Sequence, residues 1–285
     1  MITWLNRGTL HLVRSEDYAW LHALTTPGLI TGNARRLAQE GVPPEDAERG
    51  VRVIEKALAK DGPLTRFQLR DRIAEAGVRT DGQALVHLLM LACLRGITVR
   101  GPMHGRQHAY ALVRDWLGPQ PRVDRERALA ELARRYLAGH APADQRDLAR
   151  WAGLPLRDAR AGLQAIAGEL AEADDGLVEL RGSPRPRNLP APRLLGTFEP
   201  ALLGWRSRAF LVDDHEAAII NGGMFNAFAL VRGKAAARWG IRDGALWIEP
   251  FRPLATDDLR GLERDGEAVL RYLGLAYAPP AIRAR

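Results

Sequence analysis

Among the side chains in this 285-residue chain that could do chemistry, arginines are the most numerous type, and they make up 38 of its 41 basic residues. An arginine-rich, GC-rich coding bias accounts for the total, so the informative feature is where acids are missing around them. From Arg95 to Arg114 there is no Asp or Glu, while Arg100, His104, Arg106 and His108 fall within the stretch. From Leu180 to Phe198 acids are again absent, and Arg181, Arg185, Arg187 and Arg193 are present. Guanidinium and imidazole groups clear of carboxylates can donate to phosphate oxygens. A hairpin tip that simply faces water explains His104 and His108 equally well. Arg157, Arg160 and Gln164 form a third set, spaced along a helix whose other side is Leu156, Ala159, Leu163 and Ile166.

Other chemistries find little support. There is no phosphate-binding glycine loop, metal-binding histidine pair or nucleophile elbow, and no cofactor or metal is expected. His22 and His87 sit in apolar helical surroundings and read as packed side chains rather than ligands. Glu199 lies among apolar residues, where it could act as an acid or base or simply hold a turn. The single cysteine, Cys93, excludes an internal disulfide and reads as a small core residue in a reducing, cytoplasmic setting. Neither a membrane span nor a signal peptide is expected.

The third set sits in a recognisable frame. Asp144 is a good N-cap for a helix carrying Leu148, Ala149 and Ala152, Gly153 can take the left-handed conformation that ends it, and Pro155 suits the start of the next helix. This is the helix-turn-helix pattern, although an ordinary helical hairpin has the same signature. Residues 37–118 carry a related order. One helix runs from Pro44, a second from Thr65 and a third from near Thr80 to Leu94, followed by a basic hairpin from Gly96 to Val113. Residues 119–192 repeat it, with Asp124 capping the first helix and a strand from Gly176 to Leu180.

These elements predict an α+β chain: tandem winged-helix modules followed by a small antiparallel, β-barrel-like domain. The expected divisions are 1–36, a partial first winged helix; 37–118, the second; 119–192, the third; and 193–285, a β-rich domain with a closing helix. Within 1–36, Thr3–Val13 reads as a strand, and a helix capped by Ser15 ends at Pro27-Gly28. Such a piece cannot bury a core alone, so it must pack on something later in the chain. Strands are expected at 208–212, 217–220, 224–231, 235–239 and 245–248, and Thr256 is expected to cap the last helix.

An ordered set of motifs carries a resemblance. Thr3-Trp-Leu-Asn-Arg-Gly-Thr-Leu-His-Leu-Val13 is followed by Leu148-Ala-Arg-Trp-Ala-Gly-Leu-Pro-Leu-Arg-Asp-Ala159 and by Leu194-Leu-Gly-Thr-Phe-Glu-Pro-Ala-Leu-Leu-Gly-Trp205. Gly222-Gly-Met-Phe225 then precedes a strand and Trp239. Together they resemble the AlkZ and YcaQ family of tandem winged-helix proteins. The resemblance implies a clamp on double-stranded DNA, acting as a monomer, that hydrolyses the N-glycosidic bond of alkylated purines, crosslinked ones included.

The resemblance also places a Gln–apolar–Gln or Gln–apolar–Asp catalytic motif upstream of the Thr3–Val13 strand. No Gln-x-Gln occurs among the seven glutamines, and Gln145-Arg-Asp147 matches only in letters. The expectation is a chain N-terminally truncated relative to the family, able to bind DNA but releasing little base. Arg7, Thr9 and His11 follow the motif's position and are the residues expected near a lesion, although Thr9 and His11 could equally pack a strand. A non-catalytic DNA-binding or regulatory protein and a protein-interaction scaffold are the competing readings.

Overall fold

The computed structural model describes residues 1–184, 188–276 and 281–282. Its contacts divide the chain into two units, Met1–Tyr136 with Leu148–Glu169, and Leu137–Asp147 with Leu170–Arg285.

The first unit opens on a hairpin of β1 (Ile2–Leu5) and β2 (Thr9–Leu12), in which Trp4 faces Leu10 and Thr3 faces His11. The single strand expected over Thr3–Val13 is therefore two. The chain reverses at Asn6–Gly8, where Arg7 (φ 48°) and Gly8 (φ 76°) both take left-handed backbone. Helices α1 (Tyr18–Thr25), α2 (Pro27–Gln39) and α3 (Pro44–Asp61) follow. Helix α1 ends at Thr25, just ahead of Pro27-Gly28 as expected, and Pro27 also starts α2, as its missing N–H allows at a first turn. Ser15 belongs to a short 3₁₀ turn ahead of α1.

Strand β3 (Leu64–Thr65) leads into α4 (Arg66–Glu75), where Thr65 and Gln68 form a reciprocal cap: Thr65 N donates to Gln68 Oε1 at 2.8 Å and Gln68 N to Thr65 Oγ1 at 3.4 Å. Helix α5 (Ala84–Leu94) begins four residues after Thr80, and nine of its eleven residues are buried. A helix that is apolar all round must be enclosed on every side. Helices α2 and α3 and strands β1 and β4 (Thr98–His104) surround it. Strand β5 (Gln107–Leu112) and a single turn, α6 (Val113–Trp116), complete this segment. The strands form one five-stranded sheet in the order β2-β1-β4-β5-β3, with Ile2 beside Arg100. The N-terminal piece that could not bury a core alone finds its partners in β4 and α5.

Three helices follow: α7 (Arg125–His140), α8 (Gln145–Ala152) and α9 (Leu156–Ala165). Both expected caps form, with Arg127 N donating to Asp124 Oδ1 at 3.1 Å and Asp147 N to Asp144 Oδ1 at 2.8 Å. Gly153 takes φ 68°, and Leu154 and Ala159 turn inward. Helix α9 crosses α7 so closely that a Cβ at Gly162 would lie 2.6 Å from the Leu129 carbonyl oxygen.

In the second unit, β6 (Leu170–Glu172) and β7 (Val178–Leu180) pair as a small hairpin. Strand β8 (Arg193–Leu195) is followed by three single-turn helices, α10 (Pro200–Leu203), α11 (Ala209–Val212) and α12 (Glu216–Ile219). The strands expected at 208–212 and 217–220 are thus mostly helical, because apolar runs this short carry no period that separates helix from strand. A two-stranded ribbon, β9 (Ile220–Asn221) and β10 (Met224–Phe225), precedes β11 (Phe228–Val231), β12 (Lys234–Arg242), β13 (Ala245–Pro250), α13 (Thr256–Tyr272) and β14 (Ala281–Ile282). Asp243-Gly244 makes a tight hairpin turn, with both residues at positive φ. The residue capping α13 is Ala255, one before Thr256.

The main sheet runs β14-β13-β12-β11-β8. Among the described residues its edge strands do not join, so it is an open sheet rather than a closed barrel. Phe228 and Ala229 point to opposite faces, one packing with Leu202, Leu211 and Ile219, the other with Leu262 and Leu270 of α13.

Two histidines that read as packed side chains are structural. His22 Nε2 lies 3.0 Å from the Cys93 carbonyl oxygen, and His87 Nδ1 lies 2.8 Å from Asn33 Oδ1. Burial is the main cause that lowers both imidazoles from their ordinary value. In the unfolded chain they titrate near about 6.5, so below that pH the unfolded state binds more protons than the native state. Stability is therefore expected to fall as pH drops from 7 to 5, and His22→Gln should flatten that dependence. Urea unfolding at both pH values checks this; an identical pH dependence in the variant would contradict it.

Candidate nucleic-acid interface

Two groups of basic side chains lie in the first unit. One surrounds the β1–β2 turn. Gly153, in the α8–α9 turn, meets it so closely that a Cβ there would lie 3.0 Å from Arg7 Cγ and 3.1 Å from Arg7 N. Glycine is thus required at 153 for both its positive φ and its lack of a side chain. Partial burial, and secondly the Arg150 guanidinium, lower the pKa of Arg7. Thr9 Oγ1 lies 2.8 Å from His11 Nε2 and 3.4 Å from the Asn6 carbonyl oxygen, to which it donates. Burial is the largest cause that lowers His11, which keeps the imidazole neutral at pH 7. The turn therefore offers one guanidinium, a hydroxyl and a neutral imidazole able to donate or accept.

The second group lines a cavity of about 440 Å³ formed by α4, α5 and strands β1, β2, β4 and β5. Arg66, Arg100, Arg106 and His108 line it together with Phe67 and Tyr110, and no carboxylate does. Arg100 Nε and His108 Nδ1 are buried without a hydrogen-bond partner among the described residues. The Arg100 guanidinium lies 6.0 Å from the Tyr110 ring centroid. Arg66 and Arg70 flank the half-exposed Phe67 ring at 5.6 and 5.5 Å.

The structure therefore brings Arg100, Arg106 and His108 together, as their acid-free stretch suggested. His104 is exposed at the end of β4, paired in register with Gln107, and does not line the cavity. Arg157, Arg160 and Gln164 are exposed on α9, with Arg157 Nε 3.4 Å from Asp158 Oδ1. Gln164 lines a separate shallow cavity with Arg125 and Leu129. Arg185 and Arg187 lie outside the described residues.

Sequence reasoning missed Arg66, Phe67 and Arg150. An available signal was the Arg66-Phe67-x-x-Arg70 spacing just after a cap, which places an aromatic ring between two guanidinium groups on an exposed first turn. Two carboxylates singled out in the sequence are structural. Glu199 Oε1 accepts from Ala201 N at 3.4 Å and caps α10. Asp147, in the Gln145-Arg-Asp147 segment, is buried, and its carboxylate accepts from Asp144 N at 3.2 Å and from Arg206 N at 2.9 Å. That carboxylate serves the fold.

Comparison with known proteins gives a consistent result. The family described as "DNA glycosylase AlkZ-like" matches residues 1–272. An "Interstrand DNA cross-link repair glycosylase" from Streptomyces sahachiroi is 26% identical over 310 residues, covering 99% of this chain and 81% of that protein. The solved structure of Streptomyces sahachiroi DNA glycosylase AlkZ superposes with a TM-score of 0.80 at 23% identity, covering 99% of this chain and 81% of that one. At that identity the superposition establishes a shared mixed α and β fold.

The Gly153 contact generates a direct test. Gly153→Val adds a β-branched residue at positive φ against the Arg7 backbone, a strain of about 1–3 kcal/mol before any clash is relieved. Chemical denaturation should show a clear loss of stability. A variant that unfolds at the parent's denaturant midpoint would contradict the geometry.

Proposed function

The chain belongs to the AlkZ-like DNA glycosylase family, and we propose that it grips duplex DNA carrying alkylated purines, interstrand crosslinks among them, as the substrate of N-glycosidic bond hydrolysis. The observation that carries this reading is the gathering of Arg66, Arg100, Arg106 and His108 around a cavity that no carboxylate lines. The order of elements in 37–118 and in 119–192, helices followed by a β-hairpin, supports two winged-helix modules. The β1–β2 hairpin with α1 and α2 supports part of a third. In this reading Arg100, Arg106 and His108 donate to phosphates from the β4–β5 wing, with His104 at its tip. Arg157, Arg160 and Gln164 face the groove from α9, and Arg185 and Arg187 are assigned on sequence alone.

The chemistry explains what such a surface must supply. Alkylation at N7 or N3 makes the purine a cationic leaving group, so the protein's task is to place a water and stabilise an oxocarbenium-like sugar. Arg7 cannot stabilise a cation directly, but it can hold the adjacent phosphate, while Thr9 and His11 offer neutral oxygen and nitrogen atoms beside it. The 285 residues contain no Gln–apolar–Gln, and that observation favours one second reading, a DNA-binding form without excision.

Two measurements test these assignments. Arg106→Glu should weaken binding to every duplex alike and reduce the slope of log affinity against log salt by about one. A changed sequence preference would show that Arg106 reads bases. Incubated with a 7-methylguanine duplex, these 285 residues should bind it; release of base well above spontaneous loss supports the hydrolysis reading and assigns the chemistry to Arg7, Thr9 or His11, whereas binding without release supports the second reading.

A further inference from the structure

Among the described residues the cavity beside α4 is built for more than a phosphate on an intact duplex. Backbone phosphates of a duplex lie on a convex surface, whereas Arg66, Arg100 and His108 line a concave one. A volume of about 440 Å³ is that of a small-ligand site. Its rim also carries an aromatic ring: Phe67 is 46% exposed, with the Arg66 and Arg70 guanidinium groups over it at 5.6 and 5.5 Å from its centroid. Leu10, 42% exposed on β2, adds an apolar wall. Cationic side chains in the cavity and a half-exposed aromatic ring at its rim match one nucleotide presenting its phosphate and its base together. Only a nucleotide that has left the stack can do this, because in a duplex its base faces are covered.

We propose that this cavity holds a single unpaired nucleotide of a strand flanking the duplex, its phosphate against Arg66, Arg100 and His108 and its base on Phe67. The proposal rests on the reading that this unit binds DNA. It adds a preference for duplexes with a locally unpaired strand, such as those bordering a crosslink or a strand end. Tyr110 closes the site beneath Arg100, and the acid-free lining leaves the guanidinium charge unneutralised until the phosphate arrives.

Fluorescence anisotropy at fixed salt can test this with a blunt duplex, the same duplex bearing a two-nucleotide extension, and free 5′-phosphorylated dithymidine as competitor. The extension is expected to raise affinity about tenfold, the scale of one base stacked on an aromatic ring. Phe67→Ala should reduce that gain to less than twofold, Phe67→Tyr should restore it, and Arg66→Gln should also diminish it. The free dinucleotide, at millimolar concentration, should abolish the gain before it displaces the blunt duplex. No gain with the extension, or a full gain in Phe67→Ala, would overturn the proposal while leaving duplex binding intact. Failure to bind even the blunt duplex would instead overturn the DNA-binding reading itself.

Discussion

Nine of the eleven residues of helix α5 are buried, and the first unit is arranged around that constraint. Leu85, Leu88, Leu89, Leu91 and Leu94 project around its circumference, and all are at most 4% exposed. Each buried leucine contributes about 1.5–3 kcal/mol relative to an exposed one, so leaving any side uncovered would be costly. Helices α2 and α3 cover part of it, and β1 and β4 cover another part. Because β1 and β4 pack on the same helix, the N-terminal hairpin and the β4–β5 hairpin become neighbours in one sheet. The polar groups that the packing buries are met locally: Asn33 Nδ2 donates to the His87 carbonyl oxygen at 3.1 Å, and His22 meets the Cys93 carbonyl.

That packing brings together side chains that lie far apart in sequence. Trp4 and Leu10 from the first hairpin line the same cavity as Arg100 and His108 from the second. The opposite register of β2 sends Thr9 and His11 to the other face, toward the turn where Arg7 meets Gly153. The guanidinium groups of the cavity are separated from carboxylates, whereas many others in the chain are paired, such as Arg95 with Glu48 and Arg134 with Glu169. Pairing leaves little charge to offer a polyanion; the acid-free cavity keeps it.

The pair of helices α8 and α9 was legible in the sequence because its signals are local. Asp144 can cap only the residues that follow it, Gly153 can end a helix without any partner, and the spacing of Leu148, Ala152, Ala159 and Ile166 is set by the helical repeat. The basic hairpin was legible for the same reason. The pairing of Ile2 with Arg100 was not, since it joins residues about a hundred positions apart and leaves no local pattern. Arg66 and Phe67 escaped notice because their role comes from a neighbouring hairpin rather than from α4 itself. The segments Ala209–Val212 and Glu216–Ile219 were misread because a single turn of helix and a short strand have the same apolar run.

The central claim is that one sheet turns two distant hairpins into a single DNA-binding surface. Amide hydrogen exchange, measured on the whole chain with and without duplex DNA at low salt, tests it most directly. The account predicts that exchange slows together in residues 6–11 and 100–108 at the same DNA concentration. Slowing confined to one hairpin, or found only elsewhere in the chain, would contradict it.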